Sequence, residues 1–265
     1  MESHIQLNKQ ASPIIATAIH DGHYIPPEFM KNMLLPEHER MREEDPYTAY
    51  IADLPVSTVI VGHSRFLVDL NRSKDKCIYK TPDDAWGLQV WKNTPSKKTE
   101  EHLLAYYDTF YTKFEALLKE TIATYGTFIV LDIHSYNYKR AASQREAPSK
   151  KNPEINIGTV HNAPQWQTLI QTFIDFLSQT TIQGHEPDVR ENIKFKGGEF
   201  SNWIFKNYGN YGCVLSIEFK KTFMDEWTGR VDVQHLMDIH EALKNSIPLL
   251  KAALKESSHN NSRLK

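Results

Sequence analysis

FIVLDIHSYN, residues 128–137, is the stretch whose reading decides the fold class. Its opening is apolar and largely β-branched apart from one aspartate, as expected of a strand buried on both faces of a largely parallel sheet. The residues before it fit. Over 99–125, Leu103, Tyr106, Tyr107, Phe110, Phe114, Leu117, Leu118 and Ile122 recur at spacings of three and four, which gives a long helix one apolar face. Gly126 follows at the place where a helix end takes a left-handed residue, directly before the strand.

Short apolar runs at 13–19, 58–62, 65–70, 155–160, 189–195 and 212–219 read as further strands. Segments 163–180 and 232–255 read as helices, with a shorter one at 45–54. This alternation predicts an α/β fold with three α/β/α layers and a mixed, mostly parallel central sheet. No repeat or shift in composition divides the chain, so residues 1–265 are read as a single catalytic domain with a polar tail that frays from about 256. The nearly apolar-free stretch 137–153 is long for a connection, which marks it as functional or disordered.

Composition narrows the partners. Lys plus Arg is 31 and Asp plus Glu is 33, with no long block of one sign, which argues against a nucleic-acid surface. Cys77 and Cys213 offer neither a disulfide framework nor a CxxC pair, which fits a reducing, cytoplasmic setting. No run has the length of a membrane span, and MESHIQLNKQ lacks the apolar centre of a signal peptide.

Four groups of residues carry chemistry. IATAIHDGH ends an apolar run at His20, and an imidazole at the carboxyl end of a strand suits a metal site in an open α/β sheet. In LDIHS, Asp132 and His134 share one face of the strand; this is either a buried Asp–His hydrogen bond or a metal ligand backed by a carboxylate. SRFLVDLNR clusters Arg65, Asp69, Asn71 and Arg72, a guanidinium–amide set suited to gripping a carboxylate, with Asp69 also able to pair with an arginine. Of these, Arg72 is the stronger candidate for a ligand contact. Glu218 is the lone acid in VLSIEF and is either paired with Lys220 or poised as an acid/base. The chain has no P-loop, GxGxxG, GxSxG or HExxH.

Taken together, HDGHYIPPEF, EEDPYTAYIADL, SRFLVDLNR, LDIHS, INIGT, FKGGEFSNWIFKNYG and LSIEFKKTFMDE resemble, in that order, the N-formylglutamate amidohydrolase family, which is related to the zinc carboxypeptidases and aspartoacylase. The resemblance spans about 16–228. It implies a zinc-carboxypeptidase-like (phosphorylase/hydrolase-like) fold and Zn2+ held by His20 and His134. The third ligand it implies is Asp45, at the start of the next helix, with His23 as the alternative. It also implies Glu218 as the water-activating base, Asn71 and Arg72 as the carboxylate pair, and an N-acyl amino acid or short peptide as substrate, and Arg65 of the same cluster is read as a further substrate-binding residue. The expected reaction is hydrolysis of a non-peptide amide bond. The alternatives are a metallocarboxypeptidase acting on peptide C-termini and a non-catalytic ligand-binding relative. The chain departs from the family at Ile19, in the Asp21 and His23 turn, and in a basic loop with Lys139, Arg140, Arg145, Lys150 and Lys151.

Overall fold

The computed structural model describes residues 4–139 and 147–262, with side chains through Ser257. Its elements run β1 (Ile5–Asn8), β2 (Ile14–Ala18), α1 (Pro27–Met30), α2 (Glu37–Glu43), α3 (Thr48–Ile51), β3 (Ser57–Val61), α4 (Lys97–Tyr125), β4 (Phe128–Tyr136), β5 (Ile155–Gly158), α5 (Gln167–Ser178), β6 (Val189–Glu191), α6 (Glu199–Tyr208), β7 (Gly212–Lys220) and α7 (Val233–Ser262). The strands form one mixed sheet in the order β1-β3-β2-β4-β7-β5-β6. Pairing is parallel throughout except at β1 with β3 and β5 with β7.

The sheet is the middle of three layers. Side chains at alternating positions along each strand point to opposite faces. Ile15, Val59, Phe128, Val130 and Val214 therefore pack with α4 and α6 residues such as Phe110, Phe114 and Phe200. Ile14, Ala16, Ile129, Leu131 and Ile217 pack with Phe173 of α5 and Leu243 of α7 on the other face. β4 is buried along its whole length, as its apolar run predicts. Ser96 caps α4 by accepting the Thr99 N–H at 3.2 Å, and Gly126 closes it at a φ of 76°. Among the described residues, no helix is long and apolar enough to cross a membrane.

Several expectations change. Residues 65–70 form no strand. They lie in a turn-rich segment, with Leu67 N–H bonded to Ser64 and Asp69 N–H to Cys77, and their apolarity reflects burial of Phe66, Leu67, Val68 and Leu70 in the α4-side core. The 189–195 strand stops at Glu191, because the Asn156 side chain takes the Ile193 and Lys194 N–H groups out of the ladder. The helix expected over 45–54 is shortened to Thr48–Ile51 and leaves Asp45 outside it. The edge strand β1 and the helices α1, α2 and α6 have no counterpart in the sequence reading. The last helix spans Val233–Ser262. Arg140 and Arg145 of the basic loop lie outside the described residues.

Candidate metal centre and active site

Parallel register brings the candidate residues together. β2, β4 and β7 point the same way, so His20, just past β2, meets His134 near the end of β4 and Glu218 near the end of β7. This is the carboxyl edge of the sheet, where open α/β folds bind ligands. Asp45 arrives from the α2–α3 connection. Its N–H donates to the His20 carbonyl at 2.9 Å, its own carbonyl accepts the Thr48 hydroxyl at 2.7 Å, and Tyr47 takes a left-handed φ of 71° to make the bend. One ligand atom each from His20, Asp45 and His134 lie within 4.8 Å of one another, and all three residues are buried.

Both histidines present Nδ1 to the same carboxylate. His134 Nδ1 is 3.0 Å from Asp45 Oδ2, and His20 Nδ1 is 3.5 Å from it with no hydrogen-bond partner. A buried imidazole nitrogen left unpaired beside a second imidazole and a carboxylate is a donor set that can hold a borderline divalent metal such as zinc. The far nitrogens are backed by carboxylates. His20 Nε2 is 2.7 Å from Asp69 Oδ1, and His134 Nε2 is 3.1 Å from Asp132 Oδ1, the latter off the line of a hydrogen bond. Asp132 is itself held across the sheet, by the Thr17 hydroxyl at 3.0 Å and the Ser216 hydroxyl at 3.4 Å, its register partners on β2 and β7.

The electrostatics follow from burial and pairing. Burial acts to raise the Asp45 carboxyl, but the imidazoles of His134 and His20 outweigh it and hold the group well below the usual range. Burial likewise opposes ionised Asp69, and the Arg65 guanidinium and His20 reverse that. The His134 imidazole rises well above its ordinary value, because Asp132 and Asp45 overcome desolvation. Glu218 behaves differently. Burial, helped by the nearby Asp45 and Asp132, pushes its carboxyl up to about 8. Among the described residues it makes no hydrogen bond or ion pair, and Lys220 instead lies 5.4 Å from the Tyr138 ring centre.

A cavity of about 170 Å³ opens on the group; its lining includes His20, Asp45, His134 and Glu218 together with Arg65, Asn71 and Lys221. Arg65 donates to Asp69 at 2.8 Å and lies 5.0 Å from the Trp86 ring centre. Asn71 accepts the Phe200 N–H at the start of α6. The close fit there explains Gly198, since a Cβ on it would come within 2.2 Å of the Asn71 side chain. Arg72 is not among the lining residues. Its guanidinium stacks 4.7 Å from the Tyr79 ring centre and 5.9 Å from that of Trp86. His23 also stands apart from the triad, with Nδ1 2.7 Å from Glu44 Oε2.

Sequence reasoning passed over three contributors. Asp69 reads as an arginine partner in SRFLVDLNR, yet it holds His20 as well and also accepts from the Tyr79 hydroxyl. Thr17 carries no signal beyond being polar in an apolar strand. Lys221 is 1% exposed and donates to the carbonyls of Arg42 at 2.7 Å and Glu44 at 2.6 Å, which pins the backbone that leads into Asp45.

The model of the family described as N-formylglutamate amidohydrolase matches residues 12–224. Among solved structures, the N-formylglutamate amidohydrolase from Ralstonia eutropha JMP134 aligns with a TM-score of 0.72 at 15% identity, over 96% of this chain and 97% of that one. The gene product Atu2144 from Agrobacterium tumefaciens aligns with a TM-score of 0.67, also at 15% identity, over 97% and 98%. Both share the fold. None of the curated proteins compared matches the chain.

Proposed function

The chain belongs to the N-formylglutamate amidohydrolase family, and from that premise we propose that it is a zinc-dependent hydrolase that cleaves the amide bond of an N-formylglutamate-like N-acyl amino acid. The observation that carries the proposal is the meeting of buried His20, Asp45 and His134 with an unpaired Glu218 in one cavity. His20 and His134 through Nδ1, with Asp45, are the residues that would hold the metal. When bound, zinc supplies a Lewis acid for the scissile carbonyl and lowers the pKa of water.

The protein's own groups do the rest. Glu218, in its ionised form, takes a proton from the attacking water and delivers it to the leaving nitrogen. Asp69 and Asp132 fix the orientation of the two imidazoles from behind. Arg65 and Asn71, which line the cavity, and Arg72, which stacks near Trp86, offer guanidinium and amide donors to the substrate's carboxylate. The test is metal analysis of purified protein followed by a screen of N-acyl amino acids with and without chelator. Zinc in the protein and chelator-sensitive release of amino acid support the proposal; turnover that survives complete metal removal overturns it.

A further inference from the structure

The same edge of the sheet carries a second pair of imidazoles that the proposed reaction does not use. His63 follows β3 by two residues, and His4 immediately precedes β1. Because β1 runs antiparallel to β3, with Ile5 opposite Val61, its first residues return to the carboxyl end of β3. The His4 carbonyl accepts the Gly62 N–H at 2.8 Å, which fixes the two histidines side by side.

Their ring geometry is close to that of the candidate metal centre. The His4 and His63 ring centres are 4.5 Å apart with planes at 57°, against 4.9 Å and 61° for His20 and His134. Only 2% of His63 is exposed, and neither of its ring nitrogens has a hydrogen-bond partner. Tyr106, whose ring centre is 4.8 Å from that of His63, also buries a hydroxyl without a partner. Unsatisfied polar atoms gathered at one buried spot call for a ligand, because native interiors rarely leave such groups unpaired. On the outer side Tyr24 stacks on His4 at 4.3 Å, while its backbone bonds to Gly62 and Ser64.

We propose that His4 and His63 form a second metal site, separate from the His20–Asp45–His134 group, which takes a borderline divalent transition ion and ties the edge strand β1 to β3. Two imidazoles suit zinc, copper or nickel rather than magnesium or calcium. His4, being only partly buried, leaves a route for the ion.

Zn2+ titration of metal-stripped protein by calorimetry, with elemental analysis of the product, tests this. Wild type should bind two equivalents and His4→Ala one. In a His20→Ala/His134→Ala background one equivalent should remain and raise Tm, and adding His4→Ala should abolish both effects. His63→Gln in the same background is the second variant, and circular dichroism confirms that each variant is folded. If uptake by the background variant is zero, or is unchanged by both His4→Ala and His63→Gln, the second site is overturned. If wild type binds one equivalent that is lost with His4→Ala but kept without His20 and His134, this site stands and the catalytic metal assignment falls.

Discussion

His134 and Glu218 sit opposite each other on adjacent parallel strands, paired residue to residue between β4 and β7. This register sets a candidate base beside a candidate metal ligand without any flexible loop between them, and groups carried on strands hold their geometry better than groups on loops. Glu218→Gln keeps the shape and removes the base, so kcat should fall by roughly two to four orders of magnitude while metal content stays unchanged. Normal activity per folded molecule would make Glu218 a structural residue.

A pH dependence comes from the same group. Burial raises the Glu218 carboxyl from 4.5 in the unfolded chain to about 8. Between those values the folded state keeps a proton that the unfolded state has released, so in metal-free protein this group lowers stability as pH rises through the window, with the full penalty above about 8. Metal-free Glu218→Gln should therefore match wild type near pH 4 and exceed it near pH 9, by an amount on the order of a few kcal/mol. Denaturant melts at the two pH values check this, and an equal difference at both would refute it.

The candidate metal ligands can be ranked by metal content. Asp45→Ala should abolish zinc binding at the His20–His134 centre, whereas His23→Ala should leave it nearly intact, because His23 pairs with Glu44 rather than facing the triad. Asp69→Asn keeps the size of a group that backs His20 and should weaken zinc affinity by about 10- to 100-fold. Competition with a chromophoric chelator reads all three. The reverse order for Asp45 and His23 would move the ligand role to His23.

Recognition of the carboxylate should depend more on Arg65 than on Arg72, since Arg65 lines the cavity and Arg72 stacks on Tyr79 outside its lining. Lysine keeps the charge but not the planar fork. Arg65→Lys should lower kcat/KM for a free-acid substrate by roughly 10- to 150-fold, the worth of a charged hydrogen bond of about 1.5–3 kcal/mol, and Arg72→Lys by clearly less. Steady-state kinetics on the free acid and its amide decide it, and a larger loss in Arg72→Lys would restore the order expected from the sequence.

The sequence by itself determined the layered α/β class, a buried central strand at 127–133, which the structure carries on to Tyr136, the long helix closed by Gly126, and His20 and His134 as strand-end imidazoles. Periodicity and turn chemistry are local, so a linear chain displays them. The tertiary structure decided what depends on contacts between residues far apart in the chain. It turned the apolar stretch at 65–70 into a buried irregular segment and brought Asp69 to His20 across 49 residues. It also carried Asp45 to His134 across 89 residues and held Asp132 between Thr17 and Ser216. An apolar run looks the same in a sequence whether its backbone is paired in a sheet or tucked beneath a helix, and an aspartate does not reveal which histidine it will meet, because sheet register and the paths of the connections set both.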